Sequence, residues 1–303
     1  ITPRALVPNT LNPSYTYGSP QAAVTLTGLV NGDAPQPVAT LNGTPGTVLE
    51  ASGADYAFAA RTPAGSSSFT LTGLTGTGAG NYTLTGGTAS GTLTIAPKSL
   101  TYSVGSGSQE YGTLGSPALT LNGRVAGDAV GATTSLTTQG PSPAPVAHTA
   151  RTRVGTYNAD VTGLQGADAA NYVLATVGNT AGTFSVTPKP LNWSIANRNV
   201  TYGTLATDNA VLPGALSGDD VSGVVRTELS GAPVTLTART PVGTYFQSVT
   251  ALGGTDAGNY TIAGTGNSGG FLSIGAKPLS YAGTTFSQTY GAVTLPAPTL
   301  QGV

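Results

Sequence analysis

The sequence predicts an all-β protein, a tandem array of small Ig-like β-sandwich repeats in an extended rod. The dipeptide Tyr-Gly returns after about 90 residues, and self-similarity at a fixed period indicates repeat architecture. Its tyrosines are Tyr17, Tyr111, Tyr202 and Tyr290. Short Leu, Val, Ile and Tyr runs alternate with Thr and Ser, whereas apolar faces with helical spacing are missing. Period-two alternation favours half-buried strands.

Two further markers keep the same spacing. Asn-Tyr begins at Asn81, Asn171 and Asn259, and Arg-Thr-x-x-Gly begins at Arg61, Arg151 and Arg239. These markers place the repeats at 5–97, 98–188 and 189–276, with an incomplete fourth repeat at 277–303. Residues 1–4 resemble residues 95–98, so we expect them to be the tail of a preceding repeat.

The composition excludes several function classes. Charged residues make up 8% of the chain, against roughly 25% in ordinary soluble domains. The net charge is −1 and the 11 basic residues are scattered, so we expect no nucleic-acid partner. No apolar run reaches the length of a membrane span, and we expect no membrane insertion in this segment. Cysteine is absent, so disulfides do not hold the repeats together.

Each repeat is expected to contain six or seven strands. Leu100–Val104 and 191–195 are predicted opening strands, and 279–281 should open the fourth repeat. The Tyr-Gly bend follows, where glycine can take a positive φ. The later Gly-Asp pairs, at Asp33, Asp128 and Asp219, indicate turns. Residues 232–238 and 243–250 are predicted to form a hairpin, and 259–262 and 271–274 supply the last two strands.

A β-grasp-like repeat is the alternative fold. It would require a helix around residues 127–138, where Gly, Thr and Ser disfavour helix. The connections between repeats are short and contain proline, as in Ile95-Ala96-Pro97-Lys98. Proline removes conformers from a linker, so we expect neighbouring repeats to stack end to end.

The ordered motifs resemble the MBG and YDG domains of bacterial surface proteins. In the third repeat they read Tyr202-Gly203, Gly218-Asp219, Gly243-Thr244-Tyr245, Asp256-Ala257-Gly258-Asn259-Tyr260 and Lys277-Pro278-Leu279. The first repeat departs from the pattern, with Gly78 in place of the aspartate. The resemblance implies a stalk in a filamentous-haemagglutinin-like secreted adhesin, at the bacterial cell surface, with a role in adhesion or biofilm contact. It implies no catalytic residue and no cofactor.

Six aspartates are candidate calcium ligands at the repeat junctions. Calcium prefers six to eight oxygen ligands, whereas most of these turns offer one carboxylate, so turn formation is the favoured interpretation. The candidates are Asp33, Asp128, Asp168, Asp219, Asp220 and Asp256.

The repeated arginines suggest ion pairs within each repeat. We predict that Arg61 pairs with Asp33, Arg151 with Asp128, and Arg239 with Asp219. Lys98, Lys189 and Lys277 share one junction position. An isopeptide crosslink is one hypothesis for these lysines, and a solubilising surface role is the favoured one.

Catalysis has little support in the sequence. His148 is the single histidine and lies in a proline-rich stretch. A Ser-His-Asp triad or a Cys-His pair is therefore not indicated, and we expect no enzyme.

The aromatic positions divide into two groups. Tyr102, Trp193 and Tyr281 are predicted core residues because they lie on the opening strands. The Tyr-Gly tyrosines are predicted to be partly exposed, or to bond backbone as tyrosine corners do.

The expected partners are the neighbouring repeats of the chain. Other copies of the chain and a host or matrix surface are further possibilities. Two rival functions stay open: a repetitive binding array for glycans or homotypic contacts, and an extracellular filament subunit assembled by β-strand pairing.

Overall fold

The computed structural model describes residues 1–30, 32–52, 55–85, 89–207, 210–283, 285–291 and 297–302. These residues form β-strands and three short 3₁₀ turns, with no α-helix among them. The predicted class, all-β with Ig-like sandwich repeats, is confirmed. None of the described residues belongs to a helix that could cross a membrane.

Repeat 1 is a sandwich of two five-stranded sheets, ordered β6-β7-β3-β1-β9 and β2-β10-β8-β4-β5. Its strands are β1 (Arg4–Thr10), β2 (Ser14–Thr16), β3 (Ala22–Thr27), β4 (Gln36–Leu41), β5 (Thr44–Val48), β6 (Glu50–Ser52), β7 (Asp55–Ala57), β8 (Gly65–Thr75), β9 (Tyr82–Leu84) and β10 (Ser90–Ala96). Leu6 and Tyr56 of one sheet pack with Phe69 and Leu93 of the other in a buried core.

Repeat 2 repeats this plan with fewer strands. They are β11 (Lys98–Val104), β12 (Gly107–Glu110), β13 (Leu119–Asn122), β14 (Gly131–Thr138), β15 (Pro145–Val146), β16 (Gly155–Gln165), β17 (Tyr172–Leu174) and β18 (Gly182–Thr187). The sheet orders are β13-β11-β17 and β12-β18-β16-β14-β15. Strand β14 fills the segment where a β-grasp fold needs its helix, so the alternative fold is wrong.

Repeat 3 has a two-stranded sheet, β19-β24, and a five-stranded sheet, β20-β25-β23-β21-β22. Its strands are β19 (Lys189–Leu191), β20 (Arg198–Thr201), β21 (Ser222–Leu229), β22 (Ala232–Pro233), β23 (Gly243–Gly253), β24 (Tyr260–Ile262) and β25 (Gly270–Gly275). The predicted opening strand over 191–195 is shorter than expected, because beyond Leu191 only Ser194 makes isolated bridges.

The final strands are β26 (Ser280–Ala282) and β27 (Thr299–Gln301), which pair antiparallel. They lie in the predicted fourth repeat, 277–303, of which residues 284, 292–296 and 303 are outside the described residues.

The predicted hairpin of 232–238 with 243–250 is wrong. Strand β22 ends at Pro233 and pairs with β21, and β21 rather than the 234–238 segment pairs with β23. The Thr240 hydroxyl accepts the Thr237 N–H at 2.8 Å, and the Thr237 hydroxyl accepts the Arg239 N–H at 3.1 Å. Such local side-chain bonds compete with a strand ladder.

The chain divides into two compact units whose limits differ from the repeat period. The first holds residues Ile1–Ser108, Gly115–His148 and Thr156–Ser185. The second holds Gln109–Leu114, Thr149–Gly155 and Val186–Val303. The segments of repeat 2 that carry Tyr111 and Arg151 therefore cluster with repeat 3.

Candidate functional site: the aspartate junctions

Within the first unit, Asp128 of repeat 2 joins residues from both repeats. Its side chain is fully buried, and Gly127, with φ 85°, makes the turn that precedes it. The hydroxyls of Tyr17 and Tyr172 both donate to Asp128 Oδ2, at 2.8 and 2.5 Å. Arg61 Nε lies 2.7 Å from Oδ1. One carboxylate therefore takes two hydroxyl bonds and an ion pair, of which Tyr17 and Arg61 belong to repeat 1.

The second unit contains the same arrangement around Asp219 of repeat 3. Tyr111 and Tyr260 donate to Oδ2, at 2.8 and 2.5 Å. Arg151 Nη1 bonds Oδ1, and its Nη2 donates to the Ser217 carbonyl at 2.7 Å. The Asp219 side chain is 4% exposed. Both units thus use one pattern of Tyr, Arg and Asp residues.

The electrostatics of the two sites favour the ionised carboxylate. Burial of Asp128 raises its pKa, but hydrogen bonds from Tyr172 and Tyr17 and the Arg61 charge outweigh burial, so the pKa lies below its usual value. Asp219 behaves alike, with burial opposed by Tyr260, Tyr111 and Arg151. Hydrogen bonds to the charged form of an acid stabilise that form.

The tyrosines experience the converse effect. Burial, followed by the hydrogen bond to Asp128, raises the pKa of Tyr172 to about 12. Burial and the bond to Asp219 likewise raise the pKa of Tyr260 to about 12. Both hydroxyls therefore stay protonated and keep donating at neutral pH.

Aromatic and amide contacts complete each junction. Tyr17 and Tyr172 meet edge to face with ring centroids 5.4 Å apart, as do Tyr111 and Tyr260. The Asn171 amide oxygen accepts the Ala64 N–H at 2.9 Å. In the second unit, the Asn259 amide oxygen accepts the Val154 N–H at 3.1 Å. The Asn-Tyr dipeptide therefore presents two adjacent side chains, one to a backbone N–H and one to the carboxylate.

The predicted arginine pairs are wrong by one repeat. Arg61 bonds Asp128 rather than Asp33, and Arg151 bonds Asp219 rather than Asp128. Strand length explains the difference. The arginine precedes the first residue of an 11-residue strand, β8 or β16, whereas the Gly-Asp turn of that repeat lies near its far end. At 3.3 Å per residue the ends lie roughly 35 Å apart.

Arg239 differs from its two counterparts. Its predicted partner, Asp219, is bonded by Arg151, so this prediction is wrong too. The Arg239 side chain lines a cavity of about 690 Å³ together with Tyr202, Val242, Lys277 and Leu279.

The tyrosine predictions are corrected in part. Tyr17 and Tyr111 are 0% and 3% exposed, not partly exposed, and their hydroxyls bond carboxylate rather than backbone. Tyr202 is 38% exposed, and Tyr290 is fully exposed. Tyr102 and Trp193 are buried as predicted, whereas Tyr281 is 74% exposed.

The six calcium candidates do not share a cation site. Asp128 and Asp219 face an arginine and two hydroxyl donors each, an environment that repels a cation. Asp168 accepts the Ala129 N–H, Asp256 the Asp220 N–H, and Asp220 the Thr255 N–H. Asp33 accepts the Tyr82 hydroxyl. The structure brings no cluster of three or more acidic or histidine ligands together among the described residues.

The other sequence candidates take structural positions. The His148 ring packs edge to face on buried Phe184 at 4.8 Å, and its Nε2 is buried without a hydrogen-bond partner. Lys189 lies 3.6 Å from Glu110 in an ion pair.

The sequence did not reveal that the Asn-Tyr tyrosines donate to the aspartates. They served only as period markers, and their constant position relative to Gly-Asp was the signal available.

Aromatic residues do not form an equivalent exposed cluster in every repeat. Phe246 and Phe271 pair across strands at 5.5 Å and are 39% and 49% exposed. In repeat 2, Asn158 and Thr183 hold the equivalent positions. A glycan-binding array would need such a cluster in each repeat, and this observation does not favour one.

Neither a protein-family model nor a curated protein matches the sequence. Several solved structures of Ig-domain tandems are similar. Extracellular domains 3–5 of Drosophila OTK match at 12% identity and TM-score 0.29, over 92% of this chain and 100% of that chain. The N-terminal four Ig domains of Dscam1 isoform 9.44 match at 12% identity and TM-score 0.30, over 91% and 74%.

The I9–I11 tandem of titin matches at 9% identity and TM-score 0.22, over 91% of this chain and 98% of that chain. TM-scores this low carry no argument about what the chain does.

Proposed function

We propose that this chain is a structural spacer, a stalk segment of a secreted or surface-attached bacterial adhesin of the MBG and YDG type. In this role it projects a distal binding region and contributes no chemistry of its own. The observation that supports the proposal is the junction that occurs twice with the same residue types, around Asp128 and around Asp219. Each junction ties a Gly-Asp turn to residues of the preceding repeat.

The chemistry of the junction suits a stiff connection. A hydrogen bond to a charged group contributes about 1.5 to 3 kcal/mol, and each carboxylate takes two from tyrosines in addition to its arginine. These groups hold the turn at defined points, and the paired tyrosine rings exclude water from the carboxylate. The proposed spacer therefore keeps its repeats at a constant separation.

The proposal includes a location outside the cell. The low charge, with 8% of residues ionisable as Asp, Glu, Lys or Arg, and the absence of cysteine suit a long exported array. Adhesion itself is assigned to a distal region.

Small-angle X-ray scattering of the chain, with and without EDTA, tests the spacer role. Three stacked sandwiches of roughly 35 to 40 Å each predict a maximum dimension above 100 Å. We expect this dimension, unchanged by the chelator. The variant Asp128→Ala/Asp219→Ala should give a broader distance distribution, because both junctions lose their acceptor. The matched control Asp55→Ala changes an exposed β7 aspartate and should behave as the parent. A compact parent particle would contradict the proposal.

A further inference from the structure

Repeat 3 carries an open half of the junction. Tyr202 and Arg239 hold the positions of Tyr17 and Arg61, yet Tyr202 is 38% exposed, whereas Tyr17 is fully buried. They line the cavity of about 690 Å³ described above. Val242 lines it as well and is 57% exposed. It holds the position of Ala64, whose N–H is bonded by Asn171 at the first junction.

Repeat 1 carries the complementary half. Asp33 and Tyr82 are bonded to each other as Asp128 and Tyr172 are. Asn81 is exposed, whereas Asn171 and Asn259 are buried against the repeat before them. Asp33, Asn81 and Tyr82 line a cavity of about 390 Å³. This half presents a carboxylate that accepts one hydroxyl and lacks the second hydroxyl and the arginine of the complete junction.

We propose that the two halves join between copies of this chain, so that copies associate head to tail. Asp33 of one copy takes the Tyr202 hydroxyl and the Arg239 guanidinium of the next, and Asn81 accepts the Val242 N–H. Opposite charges on the two halves and two complete examples of the contact in the chain identify a second copy as the occupant. The interface is heterologous, with different surfaces on its two sides, and such interfaces extend into filaments when they do not close.

The β26–β27 hairpin must give way for this contact. The Lys277 side chain lies within 4 Å of the point where a β-carbon on Gly203 would stand, and Lys98 lies equally close to that point at Gly18. The hairpin therefore holds the place that β1 and β3 of the incoming repeat would take. Its side chains are poorly covered, with Leu279 52%, Tyr281 74% and Leu300 57% exposed. A two-stranded hairpin is marginally stable in water, so a complete sandwich can displace it.

Sedimentation velocity of the full chain over a concentration series tests the proposal. The parent should form dimers and longer species as its concentration rises. Asp33→Ala removes one half and Arg239→Ala the other, so each variant alone should stay monomeric. An equimolar mixture of the two variants keeps one intact half on each copy and should give dimers and nothing larger. Asp55→Ala and Arg226→Ala are charge-matched controls that should associate as the parent does.

Three results would overturn the proposal. They are a parent that stays monomeric up to the highest soluble concentration, an Asp33→Ala or Arg239→Ala variant that associates like the parent, and a variant mixture that grows beyond dimers. Circular dichroism of each variant checks that its fold is retained. The proposal rests on the junction contacts and not on the stalk role. A monomeric chain with an extended scattering profile would therefore reject head-to-tail association and leave the spacer function standing.

Discussion

Tyr17 and Tyr202 hold the same place in their repeats but differ in surroundings. Tyr17 is fully buried and bonded to Asp128, whereas Tyr202 is 38% exposed beside an open cavity. Their local sequences are alike, with glycine at positive φ after each tyrosine. The difference is the carboxylate from a further repeat. The comparison teaches that the environment of a junction residue is determined by the neighbouring repeat rather than by its own.

The strongest way to break the comparison is to remove the carboxylate. Asp128→Ala leaves two buried hydroxyls and Arg61 without their acceptor, so we expect the free energy of unfolding to fall by about 3 to 5 kcal/mol. Chemical denaturation followed by tyrosine fluorescence measures the loss. Asp33→Ala at low protein concentration is the control, because that carboxylate accepts one described hydroxyl and is partly exposed. Equal losses in the two variants would contradict the comparison.

Alkaline pH should weaken both filled junctions together. The native pKa of about 12 for Tyr172 and Tyr260 exceeds the unfolded value of 10.0. The unfolded chain therefore releases these protons first, and the stability that the two hydroxyls contribute is complete below about pH 10 and lost between about pH 10 and 12. Tyrosinate absorbance and circular dichroism, recorded together during a pH titration, measure this loss. Unfolding that begins well below pH 10 would contradict the assignment.

Acid should act on the partner groups. The pKa values of Asp128 and Asp219 are lowered, so their contribution is complete above the ordinary value of 3.8 and is lost as the pH falls below it. Thermal unfolding measured across this range should show the decline in the parent. Asp128→Asn should show a smaller decline, because one of the two titrating carboxylates is gone.

A smaller and more direct contrast comes from single hydroxyls. Tyr17→Phe removes one bond to a buried carboxylate and should cost about 1 to 3 kcal/mol. Tyr202→Phe removes a hydroxyl beside open space and should change the stability of the dilute chain by less than about 0.5 kcal/mol. Thermal denaturation of both variants under identical conditions compares them. Similar losses would show that the exposed tyrosine is already engaged.

The smallest expected effect lies away from both junctions and sharpens the comparison by contrast. His148 holds the position of Phe58 in repeat 1, and its Nε2 is buried without a partner. His148→Phe removes that nitrogen and keeps an aromatic ring on Phe184, so we expect a gain of about 1 kcal/mol. Denaturation midpoints of the variant and the parent test this. A gain that also shifts the alkaline transition would indicate coupling between the core and a junction.

Much of the fold could be predicted from the sequence, and the reason is the repetition. Tyr-Gly, Gly-Asp and Asn-Tyr recur at one spacing, and each glycine of the first two has a positive φ in the structure. The hairpin over 232–250 was mispredicted because Thr237 and Thr240 satisfy backbone groups locally. Their alternating pattern is the same as that of a paired strand.

The partner of each arginine could not be predicted in the same way. Asp33 and Asp128 occupy equivalent positions, so the local sequence around Arg61 cannot distinguish them. The deciding quantity is the length of β8, which places Arg61 and Asp33 at opposite ends of one strand. Calcium ligation was likewise considered because the sequence does not show that arginine and tyrosine reach Asp128.

The equivalence of the junction residues has a consequence for how such an array can change in length. Tyr17 and Arg61 meet Asp128, while Tyr111 and Arg151 meet Asp219 with the same chemistry. Loss of residues 98–188 by recombination would bring Tyr17 and Arg61 to Asp219, and every remaining contact would still have a matching partner. A gene of this kind can therefore gain or lose whole repeats in a single event without any compensating substitution.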